Sequence, residues 1–535
     1  MSEASLANKH VCAEGLKRLK TLMCSDSTAS MFGCLDRDFW AYRTLRGFPS
    51  APYQHAMSGF AYLARCSDTH ESQHLSTLSL VSLDYWLSHR NKNGSANEWY
   101  RNEQSYCATA MGLQSAAEAL WVLQSDEMLD EIQTRGHRLV KSAQWLESRH
   151  NSLATNQEIA SLSGRYVLGA MLSNQKMRES AVRSLHQVQT TFDRNGFLPE
   201  YGGMDVGYTL LSIDLLIIAH RAGMAECEPL VSDLCQQLTM IVGPTGELPF
   251  SLGSRGTSHR FYGGVEYFSQ HIESAAVLQE RVVASRPTAQ AEHVMQYDDR
   301  YLATFAFSAL ARRHHVEQRR VVGFDGRKHQ MRAVLPPPIR VVADDDVSTA
   351  TNSHFGHGLC WNSNSGNRVE HLGYVFTDES GHRWTSLVQP EGDIGEHHFT
   401  RVSDALPLRE SELRYRLVFW LCRIPLVART VSWWARARTG RPRKTRAMWL
   451  HREITYSKTT VAIRDRIRFS GPTVGKINVI SSFPYHSPSS LSPVLAGLEE
   501  HLFERVICQV SGTGEAVIDW KINSQPQRSG IVDVL

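Results

Sequence analysis

The 535-residue sequence predicts a multidomain protein in which an N-terminal α/α toroid is followed by an antiparallel β-sandwich. Residues 1–315 repeat apolar side chains at spacings of three and four, as amphipathic helices do. From residue 316 the pattern changes to strict alternation, broken by Gly, Pro, Ser and Asn turns, which is typical of strands. The length also exceeds what one ordinary core supports. We therefore expect a helical domain over 1–315 and a β domain over 316–535.

The helical segments resemble one another and recur every 30 to 55 residues or so, which indicates a repeated unit. They are predicted at residues 74–87, 105–123, 157–172, 177–192, 208–220, 229–242 and 301–312. Successive helix pairs of this kind close most naturally into a toroid whose inner helices are the more apolar ones. A stacked helical solenoid is the alternative, and periodicity does not separate the two.

The stretch at residues 195–222 combines a polar turn with an apolar helix. The turn carries two acids and two tyrosines around a glycine pair, namely Glu200, Tyr201, Gly202, Gly203, Asp205 and Tyr208. Paired glycines allow a sharp turn and a close approach of a ligand to the main chain. The alternative is that Asp205 caps the helix that follows, where a carboxylate accepts from free N–H groups.

Polar loops lead into several of the apolar helices, at residues 97–106, 155–158, 198–205 and 252–262. In a toroid, alternate loops open on one face, so these four are expected to line one cleft. Their side chains suit sugar hydroxyls and a sugar carboxylate, and the substrate-binding candidates are Trp99, Glu103, Asn156, Tyr201, Arg255 and Tyr262. The alternative is that they are ordinary polar loops.

Strands are predicted at residues 320–322, 328–334, 373–376, 449–456, 460–469, 475–481 and 515–522. The runs at 449–456 and 460–469 flank a short polar turn, Ser457 to Thr459, and therefore predict a hairpin. A β-sandwich is the simplest assembly of these strands.

An unusual insertion, residues 413–452, contains ten arginines and Lys444 but no acidic residue. Its aromatic residues include Phe419, Trp420, Trp433 and Trp434. Pro425 disfavours helix at the residue before it, which predicts two short amphipathic pieces. Arginine and tryptophan together favour an anionic membrane surface as partner. The alternative is a solvated basic insertion that packs its tryptophans on the sandwich.

The composition indicates a soluble globular protein, with 42% hydrophobic and 21% charged residues and a formal net charge of +3. The basic bias is confined to the insertion, so nucleic acid is not expected as a partner. The ten cysteines are scattered without a CxxC pair, the first 20 residues lack a signal-peptide pattern, and no apolar run reaches membrane-spanning length. We expect a cytoplasmic protein, peripheral at the inner membrane if the insertion binds lipid, without cofactor or metal.

Several motifs resemble the heparinase II/III-like group of polysaccharide lyases. Asn102, in the run WYRNEQSY, is similar to the group's asparagine at the head of an inner helix, although residues 103–106 depart from the usual Asn-His-Tyr pattern. Glu200 and Tyr208 match an acid-and-tyrosine segment, with extra residues between them. The predicted hairpin is similar to the group's second domain, whose histidines have no clear equivalent here; His354, His357, His397 and His398 are available.

The resemblance implies β-elimination on a uronic-acid polysaccharide, with bacterial exopolysaccharide as the expected setting. The reaction needs a group that neutralises the carboxylate, a base for the C5 proton and an acid for the departing oxygen. Asn102 or Arg255 would hold the carboxylate. Tyr208 would serve as base or acid, with His259 or His357 opposite it.

Two other classes of function stay open. An inverting glycosidase in the same toroid would use Glu103, Glu200 or Asp205 as acid and base, with carboxyl groups about 6.5 to 9.5 Å apart. A non-catalytic protein for glycan binding or polysaccharide assembly would be held at the inner membrane by residues 413–452.

Overall fold

The structure is a computed structural model of the chain. It describes residues 3–42, 47–125, 128–243, 245–257, 260–282, 298–318, 333–335, 337, 339–343, 347–352, 359–363, 368–371, 373–378, 383–385, 392–394, 397–404, 417–418, 420–431, 444–456, 460–469, 474–480, 503–508, 515–523 and 529–534.

In the described residues up to Gln318 the regular structure is helical, apart from a hairpin of two strands of two residues each. Its helices are α1 (Glu3–Leu22), α2 (Arg37–Trp40), α3 (Met57–Ala64), α4 (Thr69–Ser88), α5 (Tyr106–Leu123), α6 (Leu129–Glu147), α7 (Thr155–Met171), α8 (Gln175–Asn195), α9 (Val206–Arg221), α10 (Glu228–Thr239), α11 (Gly263–Phe268), α12 (Glu273–Val282), α13 (Asp299–Tyr301) and α14 (Phe307–Gln318). The hairpin pairs β1 (Pro199–Glu200) with β2 (Gly203–Met204) between α8 and α9.

Within the described residues, six inner helices form a closed ring. Helices α3, α5, α7, α9 and α11 pack each against the next, and α14 packs against both α11 and α3. The outer helices α4, α6, α8, α10 and α12 follow and cover their inner partners, while α1 covers α14. A stacked solenoid has no contact between its first and last repeats, so this closure excludes that alternative and is the arrangement of a toroid.

The apolar pattern of each helix explains its place in the ring. Helix α9 is buried on all sides from Val206 to Ala219, as expected for an inner helix. The outer helix α8 instead buries a single stripe, Met177, Ser180, Ala181, Leu185, Val188 and Phe192. The inner helices also approach closely, since a Cβ on Gly164 of α7 would lie 2.9 Å from the backbone of Gln114 in α5.

A buried ionic cluster joins four of the inner helices. Arg312 of α14 donates from Nε and Nη2 to the two carboxylate oxygens of Glu118 in α5, at 2.6 and 2.7 Å. Its Nη1 donates to Asp214 of α9, and the Tyr62 hydroxyl of α3 donates to Glu118 at 2.7 Å. Burial alone lowers the pKa of Arg312, but the carboxylates of Asp214 and Glu118 outweigh it and raise this pKa well above its ordinary value. We call this group the ring cluster.

The described residues of the C-terminal part form antiparallel strands in two sheets. They are β3 (Ile339–Ala343), β4 (Val347–Asn352), β5 (Leu359–Ser363), β6 (Arg368–His371), β7 (Gly373–Asp378), β8 (Arg383–Thr385), β9 (Gly392–Ile394), β10 (His397–Asp404), β11 (Lys444–Tyr456), β12 (Thr460–Phe469), β13 (Val474–Ile480), β14 (Phe503–Cys508), β15 (Glu515–Asn523) and β16 (Ser529–Val534). One sheet has the order β3-β4-β5-β6. The other has the order β14-β13-β7-β8-β10-β11-β12-β15-β16, with β9 beside β10.

The predicted hairpin is present as β11 and β12, where Tyr456 pairs with Val461. Arg452 and Asp465 lie opposite each other in this hairpin and form a fully buried bidentate ion pair with both N–O distances at 2.7 Å. The strand predicted at 320–322 and most of that at 328–334 lie outside the described residues. The packing of the two sheets as a sandwich stays a prediction.

Within the part of the chain that the structure describes, none of the helices combines the length and the apolarity that a transmembrane span requires.

Candidate functional site

The loops that lead into the inner helices lie on one face of the ring, because each outer helix returns the chain to the side where the next inner helix begins. An isolated bridge between Ala154 and Glu200 joins the start of α7 to that of α9. Asp205 then joins the start of α9 to the loop before α11 through Arg255 and Thr257. Residues 155–158 were predicted as a loop, but they form the first turn of α7.

Tyr201 lies at the tip of the β1–β2 hairpin in an unusual backbone conformation. Its φ is 50° and that of Gly202 is 95°, so both turn residues are left-handed, as in a type I′ turn. Glycine adopts this conformation freely, whereas an aromatic residue does so at a cost. The Tyr201 N–H donates to the Leu153 carbonyl at 2.6 Å, which holds the tip against α7. Strain of this kind clusters at functional sites.

Arg255 stacks on the ring of Tyr201. The guanidinium carbon lies 4.1 Å from the ring centroid, a close cation–π contact. Arg255 is buried, whereas Tyr201 is only half-buried. Burial raises the pKa of Tyr201 to about 12, although the charge of Arg255 opposes that rise. The phenol is therefore protonated at neutral pH. The positive charge of Arg255 nevertheless stabilises the phenolate relative to the phenol.

Glu200 lies beside this pair and is almost fully buried. The Asn156 side-chain amide donates to its Oε2, and the Ser254 hydroxyl donates to its backbone carbonyl at 2.5 Å. Burial raises the pKa of Glu200 to about 8, against the opposing effect of Arg255. At neutral pH this carboxyl group therefore holds a proton, unlike an ordinary surface glutamate.

Both carboxylate oxygens of Asp205 accept hydrogen bonds from within the chain, so this residue has a structural role. It caps α9 by accepting from the Tyr208 N–H at 3.0 Å, and it also accepts from the Arg255 N–H at 3.0 Å and from the Thr257 hydroxyl. This is the capping alternative raised by the sequence, so we do not retain Asp205 as a catalytic candidate. Tyr208 lies in the first turn of α9 and is 9% exposed, which makes it less accessible than Tyr201.

A second cluster lies around Trp99 on the loop before α5. Glu103 accepts from the backbone N–H groups of Glu98 and Trp99, both at 2.7 Å, so its carboxylate fixes this loop and is not a free acid or base. Arg300 forms an ion pair with Glu98 at 2.7 Å, and its guanidinium carbon lies 4.4 Å from the Trp99 ring centroid. Trp99 itself is 53% exposed. The result is a tryptophan that is held in place yet open to solvent.

Both clusters precede inner helices on the same face of the ring, and we infer that they line one cleft. Burial and then the charge of Glu98 raise the pKa of the half-buried Cys107, and Glu200 of the first cluster acts on the same thiol. The pKa of Tyr201 likewise responds to Glu98. Cys107 and Arg300 were missed by sequence reasoning. Arg300 had a usable signal, because residues 298–301 precede the sixth inner helix as the other leading loops precede theirs.

Asn102 lies at the rim of the cleft and is already bonded. Its side-chain amide donates to the backbone carbonyls of Cys422 at 3.3 Å and Arg423 at 3.1 Å, so the predicted contact with a substrate carboxylate is replaced by a contact within the chain. Tyr262 was predicted to line the cleft, but it is buried at the N-cap of α11. His259, His354 and His357 lie outside the described residues.

Of the two β10 histidines, His397 and His398, the structure gives the strand position only. Among the described residues, no group of three or more His, Cys, Asp or Glu side chains is arranged to hold a metal ion.

No protein-family model and no curated protein matches the sequence. Among solved structures, a Paenibacillus xanthan lyase matches 89% of this chain at 8% identity, with a TM-score of 0.45. Heparinase III matches 89% of the chain at 9% identity, with a TM-score of 0.39. Both are polysaccharide lyases. The chain spans 46% of the xanthan lyase and 81% of heparinase III.

Proposed function

We propose that the chain is a carbon–oxygen lyase that cleaves a uronic-acid polysaccharide by β-elimination in this cleft. The observation that carries the proposal is the strained, half-buried Tyr201 stacked under Arg255. A proton-transfer residue needs access to substrate and a nearby charge that adjusts its ionisation. Tyr201 has both, whereas Tyr208 is more deeply buried.

In this proposal Tyr201 moves the protons of the reaction. The phenol first gives its proton to solvent, which the charge of Arg255 favours. The resulting phenolate takes the C5 proton of the uronate, the electrons of that C–H bond form the C4–C5 double bond, and the C4–O bond breaks. The departing glycosidic oxygen leaves with a proton, which the phenol of Tyr201 supplies. General acid–base catalysis of this kind contributes about 10² to 10⁴ in rate.

Arg255 supplies the positive charge that the elimination requires. Its guanidinium favours the phenolate of Tyr201 and would neutralise the uronate carboxylate, which makes the C5 proton more acidic. The Asn156 bond to Glu200 and the Ser254 bond to the same residue fix the hairpin that carries Tyr201. These residues are positioning residues in the proposal.

Trp99 is the proposed sugar-stacking residue of the cleft. It is exposed, and both its backbone and its ring are held, by Glu103 and Arg300 respectively. A preorganised aromatic side chain binds the apolar face of a sugar with little loss of conformational freedom.

Product analysis tests the proposal directly. The purified protein is incubated with a panel of uronate-containing polysaccharides, including bacterial exopolysaccharides. Ultraviolet absorbance from the conjugated double bond, together with new chain ends, supports the lyase. New reducing ends without absorbance would support the inverting hydrolase, for which the protonated Glu200 is the candidate acid. Binding without turnover would support a glycan-binding or assembly protein.

The setting of the reaction is part of the proposal. A cytoplasmic role in exopolysaccharide metabolism draws its support from the scattered cysteines, which form no disulfide pattern in the sequence.

A further inference from the structure

Part of the basic insertion lies against the rim of the cleft. Residues 417–418 and 420–431 form two short helical pieces separated by a turn at 422–424, which agrees with the break predicted at Pro425. We call these residues the rim segment. Its inner side packs Cys422 and Ala428 against Phe48 and Tyr100, and Asn102 donates to two of its carbonyls. The rim segment is therefore fixed to the toroid on one side.

The outer side of the rim segment is apolar and exposed. Leu417, Trp420, Ile424 and Leu426 are 56%, 59%, 52% and 73% exposed, all within ten positions. Scattered exposed apolar residues are normal on a protein surface, but a contiguous group of large ones marks an interaction site. The segment thus has a buried apolar side that holds it and a second apolar side that faces solvent.

The charged residues within the described rim segment are both basic. Arg423 and Arg429 are exposed on the same pieces. The sequence from 413 to 452 contains eleven basic residues and no acid. Tryptophan and leucine beside arginine are the side chains of helices that lie in a membrane interface, where the apolar groups enter among the acyl chains and the cations meet lipid phosphates.

We propose that the rim segment docks this protein onto an anionic lipid surface, with Trp420, Ile424 and Leu426 inserted at the level of the headgroups. A second copy of the chain fits less well, because a symmetric contact would bring the arginines of the two segments together. Since Asn102 holds the rim segment, docking places the cleft rim close to the membrane. The proposal does not depend on which reaction the cleft performs.

Vesicle sedimentation without any polysaccharide tests the proposal. The full chain is mixed with vesicles of phosphatidylcholine alone or with added phosphatidylserine. We expect binding to the anionic vesicles, release by salt because the attraction is screened, and about fivefold weaker binding for each of Arg423→Gln and Arg429→Gln. The double variant Trp420→Gln/Leu426→Gln should lose at least tenfold in binding, including the part that salt does not remove.

The matched control is Leu129→Gln, an exposed leucine at the start of α6 on the opposite face of the ring. It should bind vesicles as the unmodified chain does, and circular dichroism should show that all variants stay folded. Absence of binding to anionic vesicles at low salt would overturn the proposal. So would equal binding by the double variant, or a dimer without lipid that the double variant abolishes, which would identify a second copy as the occupant.

Discussion

Replacing Arg312 by methionine should destabilise the toroid severely. The guanidinium of Arg312 is the cation that faces the buried carboxylates of Glu118 and Asp214 in the ring cluster, and the three side chains are 3%, 0% and 1% exposed. Methionine fills a similar volume but leaves two carboxylates in an apolar interior. Breaking a buried ion pair in this way costs about 3 to 5 kcal/mol.

The expected loss follows from burial and can be compared with a surface pair. Arg138 forms an ion pair with Asp84 at 3.1 Å, but the two side chains are 47% and 37% exposed. Arg138→Met should therefore cost less than about 1 kcal/mol, since water screens the charges. Urea unfolding followed by far-ultraviolet circular dichroism measures both variants, and the difference in unfolding free energy is the quantity of interest.

A further variant separates charge from packing. Replacing Arg312, Glu118 and Asp214 together by apolar residues of similar volume should recover much of the stability that Arg312→Met loses, because no uncompensated charge remains. If Arg312→Met loses no more than Arg138→Met, Arg312 does not join α14 to α5 and α9 as the ring cluster requires.

Two smaller predictions concern packing and ionisation. Gly164→Ala should cost about 1 to 3 kcal/mol, since its Cβ would meet the backbone of Gln114 at 2.9 Å; unchanged urea unfolding would contradict this contact. The folded chain keeps the Glu200 proton up to a pKa of about 8, whereas the unfolded chain releases it near 4.5, so this group's contribution to stability falls as pH rises between these values. Glu200→Gln should remove this fall in the free energy of unfolding, which is on the order of 1 kcal/mol per pH unit. If the variant shows the same pH dependence of stability as the unmodified chain, the pKa of Glu200 is not raised.

The sequence was most informative where the apolar pattern was strongest. The all-round apolar run after Asp205 predicted an inner helix, and the alternation on both sides of Ser457 predicted the β11–β12 hairpin to within a few residues. The closure of the ring could not be predicted from the apolar pattern. It depends on contacts such as that of Arg312 with Glu118, which are 194 positions apart. Local periodicity carries no information about such pairs.

The structure brings some of the predicted site residues together and not others, and their roles stay a prediction. The acid-and-tyrosine turn and Arg255 do come together. The choice between Tyr201 and Tyr208 depends on a left-handed turn that the sequence hints at only through Gly202. Asn102, Glu103 and Asp205 have the residue types of a catalytic site, yet each is bonded to the backbone. The type of a residue alone does not show which partners its polar group is hydrogen-bonded to.

The most direct test of the proposed lyase compares two tyrosines in the same assay. Tyr201→Phe removes the hydroxyl at the hairpin tip and keeps the ring that stacks with Arg255. Tyr166→Phe removes a hydroxyl that accepts from Arg178 at 2.9 Å, outside the cleft. On the polysaccharide that the unmodified chain cleaves, we expect Tyr201→Phe to lower kcat by about 10² to 10⁴ with little change in KM, and Tyr166→Phe to be unaffected. Release of unsaturated product by Tyr201→Phe at the unmodified rate would contradict the account.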